Sequence, residues 1–205
     1  MAIFLIRHGE TDLNAKRVVQ PPSAPLSRRG REQARLLAQR LEQSGVERIL
    51  ASDLERARAT ADEIARVTGA PVTLESDLQE RNYGEIRGTP YVELKIDIFD
   101  PGYAPPGGED GPTFDRRVDS AWRRIVRECG EVRGNLAVVT HGLVCASLAG
   151  RYLDLETHGV PVPAGWGNTS LTVIEASSPW TVTRLNCCDH LDAETRGDPL
   201  APSGL

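Results

Sequence analysis

The chain lacks the features that mark membrane proteins and nucleic-acid-binding proteins. Its 205 residues contain no apolar run long enough to cross a bilayer, and the amino terminus enters a strand pattern without the layout of a signal peptide. The net charge is -5 and acidic and basic residues are interleaved, so the sequence offers no clustered basic surface for nucleic acid. We therefore expect a cytoplasmic protein that binds neither membranes nor nucleic acid.

Cysteine is scarce and has no metal-ligand spacing. The four cysteines are Cys129, Cys145, Cys187 and Cys188, and the adjacent pair is poorly placed to form a disulfide with itself. We interpret all four as reduced thiols, and the first two as small apolar residues in helices. A redox or metal role for the adjacent pair has only their adjacency in its favour.

The chain does have a regular alternation of strand-like runs and amphipathic helices. This pattern is typical of a mostly parallel sheet covered on both faces, which predicts a three-layer α/β/α sandwich. A chain of this length with 40% hydrophobic residues can bury one substantial core, so we expect a single domain over residues 1–205. Residues 81–112 are rich in glycine and proline and predict a long excursion over the sheet.

Helix boundaries and sheet edges have local signals of their own. Ser27 looks like the cap of the first long helix, and either Ser52 or Asp53 can cap the second, which ends at Gly69. Two closing strands, over residues 169–175 and 180–186, predict a hairpin near a sheet edge.

A buried strand over residues 3–6 leads directly into Arg7 and His8. Because ligands of open α/β sheets bind beyond the carboxyl ends of the strands, an imidazole beside a fixed cation there is suited to phosphate. Arg7 also disfavours protonation of the neighbouring ring, which leaves His8 able to act as a nucleophile. The alternative is an ordinary Arg-His pair at the surface.

The same layout occurs a second time. A strand over residues 136–139 ends in Thr140, His141 and Gly142, directly before an apolar helix. The two histidines thus occupy equivalent strand ends. Taken alone, His141 could equally be a residue that caps the following helix.

Four blocks of the sequence, in order, resemble the histidine phosphatase superfamily, also called the phosphoglycerate-mutase-like family. The blocks read LIRHGET at residues 5–11, SDLERARATA at 52–61, LQE at 78–80 followed by Gly84, and THG at 140–142. The resemblance covers nearly the whole chain. It implies the phosphoglycerate-mutase-like form of the α/β/α sandwich, with the excursion over an active site.

The resemblance also implies roles for individual residues. His8 would attack the substrate phosphorus, with Glu80 as the proton donor and His141 as the second catalytic histidine. Phosphate would be bound by Arg7, Asn14, Arg56, His141 and Gly142, and the rest of the substrate by Gln20, Tyr83 and Arg81. No metal and no other cofactor is expected, which agrees with a sequence that lacks the Asp and His clusters of metallophosphatases.

Phosphoryl transfer requires both an acid and cationic groups. An alcohol leaving group needs a proton, which a carboxylic acid with a raised pKa can supply before it activates water in a second step. Guanidinium groups neutralise charge on the phosphoryl oxygens. Pairing of Glu80 with Arg81 in a solvated loop is the competing interpretation, and a close cation there would oppose the acid role.

Departures from the family pattern bear on the activity. Tyr91 stands where mutases have a lysine, and residues 103–109 contain no arginine, whereas PGGE at 106–109 resembles the phosphatase members. The segment between Gly84 and Gly88 lacks the usual aromatic-acidic pair. We therefore expect a hydrolase of a small phosphorylated metabolite. The alternatives are a cofactor-dependent phosphoglycerate mutase and a weakly active module that binds phosphate esters.

One segment bears on self-association. Residues 160–163 read VPVP, a short apolar stretch that could pair two chains into a homodimer or form a buried loop.

Overall fold

The centre of the molecule is a mixed sheet, seen in a computed structural model that describes residues 1–100, 102–155, 161 and 163–197. Its strands are β1 (Ala2–Arg7), β2 (Val46–Ala51), β3 (Val72–Leu74), β4 (Asn135–Thr140), β5 (Leu171–Glu175) and β6 (Val182–Cys187). They lie in the order β3-β2-β4-β1-β5-β6. The first four strands in chain order are parallel to one another. Strand β5 is antiparallel to both of its neighbours, β1 and β6. The hairpin predicted near a sheet edge is therefore confirmed, as β5 and β6.

Helices cover both faces of this sheet. They are α1 (Asp12–Ala15), α2 (Arg28–Leu41), α3 (Glu55–Thr68), α4 (Gly111–Glu131), α5 (Gly142–Tyr152) and α6 (Ala193–Arg196). Side chains alternate across a strand, so Ile3 and Leu5 of β1 pack in one core with α4 and α5, whereas Phe4 and Ile6 pack in another with α2 and α3. The protein is an α/β/α sandwich, as the alternation of strands and helices predicts.

The predicted helix ends are partly confirmed. The Ser27 hydroxyl accepts a hydrogen bond from the Gly30 N–H and caps α2, and Gly69 ends α3 with a positive φ of 71°. The prediction that Ser52 or Asp53 caps α3 is wrong, because the cap residue is Leu54 and has no side-chain cap bond. The Ser52 hydroxyl is engaged elsewhere, as described below.

The segment between β3 and α4 crosses the sheet edge as turns and short 3-10 helices, Ser76–Leu78, Gly84–Ile86 and Tyr91–Glu93. It shares a small core, formed by Val19, Tyr83 and Ile98, with the loop that follows α1. Backbone hydrogen bonds between Val19 and residues 88 and 89 attach it to the loop that follows α1. The excursion is therefore anchored to the loop that follows α1.

Several sequence predictions concern the remainder of the chain. Cys129 and Cys145 are buried apolar residues, and all four cysteines are free thiols. No helix within the described ranges is both long and apolar enough to cross a membrane. Residues 160 and 162, on which the predicted homodimer surface depends, lie outside the described residues, so that surface stays a prediction.

Candidate active site

The sheet places both predicted histidines side by side. In the parallel pairing of β1 with β4, the last residues of the two strands, Arg7 and Thr140, lie opposite each other. The residue that follows each strand is a histidine. The His8 N–H extends this ladder to the Thr140 carbonyl at 3.0 Å. The centroids of the His8 and His141 rings are 5.0 Å apart, and both side chains are buried.

The His8 ring is fixed with one nitrogen available. Its Nδ1 lies 2.7 Å from the Gly9 carbonyl oxygen, which can only accept, so Nδ1 carries the proton and Nε2 has the lone pair. That lone pair accepts from Arg56 Nε at 3.2 Å. Burial lowers the pKa of His8 well below its usual value, and the charges of Arg56 and Arg7 lower it further. His8 thus presents a neutral, nucleophilic Nε2.

Two buried guanidinium groups supply positive charge at this nitrogen. Arg7 donates through Nη1 to the Trp166 carbonyl, and its Nε is buried without a hydrogen-bond partner among the described residues. Arg56 is the second residue of α3, where the positive end of the helix dipole adds to its charge. Burial lowers the pKa of Arg56 to about 10, so it stays protonated at neutral pH. The pair can neutralise an oxyanion.

His141 is held by a residue of the neighbouring strand end. Its Nε2 lies 2.8 Å from the hydroxyl of Ser52, and Ser52 is the first residue after β2. Its Nδ1 is buried and has no partner within the described part of the chain. His141 is the N-cap residue of α5, but its side chain makes no cap bond to that helix, so capping does not account for its position. Burial, then Arg56 and His8, lower the pKa of His141.

Glu80 enters the same site from the excursion. Its carboxyl accepts from the backbone N–H of Arg81 at 3.0 Å and of Leu143, in the first turn of α5, at 3.1 Å. Burial raises the pKa of Glu80, while these two donors and the charges of Arg56 and Arg7 oppose the rise. The solvated Glu80–Arg81 ion pair considered from sequence is therefore absent.

Arg117 of α4 holds the backbone that carries Glu80, a role that no sequence pattern indicated. Its guanidinium donates to the carbonyls of Asp77, Gln79 and Glu80 at 2.9, 2.7 and 3.3 Å. It also forms two hydrogen bonds to the Glu109 carboxylate, at 2.8 and 2.7 Å. In the sequence it resembles the other solvent-facing arginines of a long helix. Ser52 was likewise missed, since it was assigned only a capping role.

The predicted substrate-binding residues line an open cleft of about 350 Å³ in front of Arg56 and Glu80. Gln20 and Tyr83 lie on its wall, and the Tyr83 hydroxyl donates to the Ile98 carbonyl at 3.3 Å. Arg81 also lies there, but its guanidinium donates to the carbonyls of Ile98, Tyr103 and Glu109. Arg81 therefore also holds the excursion together, and its predicted contact with the substrate stays a prediction.

The remaining predicted phosphate contacts lie at helix starts. Gly142 is the first residue of α5, directly after His141. Asn14 is buried in α1, and its backbone N–H donates to the capping Thr11 hydroxyl at 3.0 Å. The structure thus gathers two histidines, two arginines and one carboxyl group around a single buried site.

Paired strand-end histidines flanked by arginines, on a sheet of this order, define the class of phosphoglycerate-mutase-like α/β proteins. Residues 3–187 match the model of the histidine phosphatase superfamily (branch 1). The chain belongs to this superfamily.

Its relatives have names of two kinds. A probable phosphoglycerate mutase GpmB of Serratia proteamaculans (strain 568) is 42% identical, over 94% of this chain and 95% of the relative. The solved structure of Bacillus stearothermophilus YhfR superposes with a TM-score of 0.79 at 27% identity, covering 93% of this chain and 99% of the other. A mycobacterial glucosyl-3-phosphoglycerate phosphatase, solved with VO3, gives a TM-score of 0.76 at 27% identity, with 91% and 99% covered.

Proposed function

We propose that the protein is a metal-independent phosphomonoester hydrolase, which acts through a phosphohistidine at His8 on a small phosphorylated metabolite in the cytoplasm. One observation carries the proposal: a neutral His8 Nε2 faces the Arg56 guanidinium in the same buried site as the Glu80 carboxyl, whose pKa is raised. A nucleophile, an oxyanion cradle and an acid are the three parts that this chemistry requires.

In the first step, His8 Nε2 forms a bond to phosphorus as the ester P–O bond breaks. Arg7, Arg56 and the Nδ1 of His141 take up the charge on the phosphoryl oxygens. Glu80, whose pKa is raised by burial, gives its proton in its acid form to the departing alkoxide, so a neutral alcohol leaves. The proton remains on His8 Nδ1, which donates it in a hydrogen bond to the Gly9 carbonyl oxygen. Attack therefore occurs through Nε2.

In the second step, Glu80 is a carboxylate and takes a proton from water. The resulting hydroxide equivalent attacks phosphorus, the P–N bond breaks, and inorganic phosphate leaves. The electron pair of that bond returns to His8 Nε2. Both Glu80 and His8 then regain their starting protonation states, so one cycle consumes one ester and one water.

The choice of hydrolase over mutase rests on two residues of the excursion, Tyr91 and Arg81. Tyr91, which packs against the small core of the excursion, is a neutral phenol where mutases have a lysine. The Arg81 guanidinium, which lies on the cleft wall, donates to the backbone carbonyls of Tyr103 and Glu109. Phosphoglycerate mutase activity is the second candidate, and the name of the Serratia relative supports it.

Product analysis tests this proposal. The full chain is incubated with a panel of phosphate monoesters and inorganic phosphate is measured, in parallel with conversion of 3-phosphoglycerate to 2-phosphoglycerate in the presence of the bisphosphate. We expect phosphate release to dominate and to fall roughly a thousandfold in His8→Ala. Arg58→Gln, which removes an exposed charge on α3, is the matched control and should retain activity. Isomerisation faster than release would establish a mutase, and binding without turnover would establish a binding module.

A further inference from the structure

Ser52 carries a buried hydroxyl that the proposed reaction does not use. It is the first residue after β2 and is fully buried. Its backbone N–H donates to the Val139 carbonyl at 2.9 Å, which continues the hydrogen bonds between β2 and β4 by one residue. The sheet therefore fixes the position of Ser52 beside the end of β4, which His141 follows.

The Ser52 hydroxyl has two partners within the described ranges of the chain. It accepts from the Leu54 N–H at 3.3 Å, and its oxygen lies 2.8 Å from His141 Nε2. A backbone N–H can only donate, so the single proton of the hydroxyl is left for His141. If Nε2 carried a proton of its own, the hydroxyl proton would have no acceptor between these two partners, and a buried donor without an acceptor is costly. The hydroxyl therefore donates and His141 Nε2 accepts.

The proton of the His141 ring is then on Nδ1. Burial, followed by Arg56 and His8, lowers the pKa of His141 well below its usual value, so the ring is neutral and has one proton. Nδ1 is buried and has no hydrogen-bond partner in the part of the chain that the structure describes. The His8 and His141 ring centroids are 5.0 Å apart, so a phosphoryl group at His8 can supply the acceptor that this N–H lacks.

His8 and His141 thus have the same tautomer but leave different nitrogens in the site. The Nδ1 proton of His8 is hydrogen-bonded to the Gly9 carbonyl oxygen, which leaves the Nε2 lone pair in the site. The Nε2 lone pair of His141 is hydrogen-bonded to Ser52, which leaves the Nδ1 proton in the site. A lone pair can attack phosphorus, whereas an N–H can only donate to the phosphoryl oxygens. The partner of each ring therefore separates a nucleophile from a hydrogen-bond donor.

We propose that Ser52 is a positioning residue whose hydroxyl holds His141 in the Nδ1–H tautomer. In this tautomer His141 is a hydrogen-bond donor to the phosphoryl group and not a second nucleophile. The tautomer is independent of turnover, whereas its effect on phosphoryl transfer rests on the proposed function. No proton leaves His141 or Ser52 during the reaction, so both keep their protonation states through the cycle.

Nitrogen NMR of the resting protein tests the tautomer. The full chain is labelled with ¹⁵N-histidine, and the signals of His141 are identified as those missing from His141→Gln. We expect the chemical shift of a protonated nitrogen at Nδ1 and that of an unprotonated nitrogen at Nε2. In Ser52→Ala the two shifts should move towards the opposite pattern, because free histidine prefers its proton on Nε2. A proton on Nε2 in the unaltered protein, or an unchanged pattern in Ser52→Ala, overturns the inference.

Kinetics test the consequence for the reaction. Ser52→Ala should lower kcat by about tenfold to a hundredfold, because a hydrogen-bond donor to the transition state is lost. Ser52→Thr keeps a hydroxyl and should retain most of the activity and the His141 tautomer. Ser44→Ala, which removes a hydroxyl that donates to the Leu41 carbonyl, is the matched control and should leave kcat unchanged. If Ser52→Thr loses as much activity as Ser52→Ala while its tautomer is unaltered, the role of Ser52 is structural and the inference is overturned.

Phosphate binding separates this inference from the proposed hydrolysis. Calorimetry measures the affinity of inorganic phosphate for the unaltered protein, Ser52→Ala and Ser44→Ala. We expect about tenfold weaker binding in Ser52→Ala, since Nδ1 of His141 then offers the phosphate oxygens a lone pair instead of a donor. This result supports the donor role of His141 even if no ester is turned over. Equal affinity in all three proteins, or no binding by any of them, overturns that role even if phosphate release is fast.

Discussion

At the scale of single residues, the state of His8 shows what a dipeptide can and cannot reveal. Its sequence position beside Arg7 predicted a neutral ring, and the structure agrees on the direction of the pKa shift. The dipeptide pointed to Arg7 as the cause of this shift. In the structure, burial lowers the pKa of His8 most, followed by Arg56 and then Arg7. Burial of this loop and the arrival of Arg56 from another helix depend on the whole fold, so the dipeptide could not supply them.

Glu80 gives the sharpest residue-scale prediction. Glu80→Gln should lower kcat/KM for alkyl phosphates by about 10² to 10⁴ because the alkoxide then leaves without a proton. An aryl ester such as p-nitrophenyl phosphate has a leaving group that needs no proton, so its kcat/KM should fall far less. Steady-state kinetics on both esters checks this. Glu85→Gln, an exposed acid in the same excursion, is the control. Equal losses on both esters would remove Glu80 from the acid role.

The raised pKa of Glu80 also sets a pH dependence. The first step requires the protonated carboxyl, so kcat/KM for an alkyl ester should decline as pH rises through the raised pKa of Glu80. The aryl ester should show a flatter profile over the same range. Profiles of kcat/KM for the two esters check this. If kcat/KM for both esters declines in parallel as pH rises, the decline is caused by titration of a group other than Glu80.

At the scale of secondary-structure elements, α4 positions the loop that carries the acid. Arg117→Lys removes the planar set of donors that bridges three carbonyls and Glu109. We expect kcat for alkyl esters to fall about tenfold with a smaller change for aryl esters, because Glu80 loses its position. Arg116→Lys, a neighbouring exposed site whose guanidinium contacts the Thr113 hydroxyl, should have little effect. A loss that is the same for both esters would indicate a merely structural role.

Most of the elements could be predicted because their signals are local. The Ser27 cap, the Gly69 helix end and the closing hairpin all follow from short-range patterns that the fold preserves. The prediction that Ser52 caps α3 was wrong because the Ser52 hydroxyl is hydrogen-bonded to His141, which lies 89 residues away in sequence. The structural role of Arg81 was not predictable for a similar reason, since its acceptor, the Glu109 carbonyl, lies 28 residues further along.

At the scale of the whole molecule, the strand order explains why distant blocks of sequence form one site. The residues that follow β2, β4 and β1 are neighbours because those strands are adjacent in a parallel arrangement. The alternation of elements predicted this layering, and the family resemblance predicted the fold. The conformation of the excursion was not predictable, because it depends on contacts of Arg81 and Arg117 with backbone carbonyls rather than on a repeating pattern.

His190 connects the closing strands to α2 and predicts how the stability of the molecule depends on pH. Its Nδ1 accepts from Arg40 at 3.2 Å and its Nε2 lies 3.0 Å from the Thr169 hydroxyl, so the neutral ring fits both partners. Burial first, and then Arg40, lower the pKa of His190 to about 4. Between pH 6.5 and 4 the unfolded state therefore binds a proton that the folded state does not, and stability is lost as pH falls.

His190→Gln should remove this contribution. Denaturant unfolding at pH 7 and pH 5 is expected to show a smaller acid-induced loss of unfolding free energy in the variant, by about 1 kcal/mol given the partial exposure of the ring. An identical pH dependence in both proteins would mean that His190 is protonated in the folded state as readily as in the unfolded chain.

The most direct test of the central claim is to find the phosphoryl group on the protein during turnover. The full chain is mixed with a phosphate ester, quenched in alkali, where phosphohistidine survives, and mapped by mass spectrometry, with the isomer assigned by ³¹P NMR. We predict a phosphoryl group on Nε2 of His8 and none on His141. Phosphate release with no labelled histidine, or with the label on His141, would contradict the account.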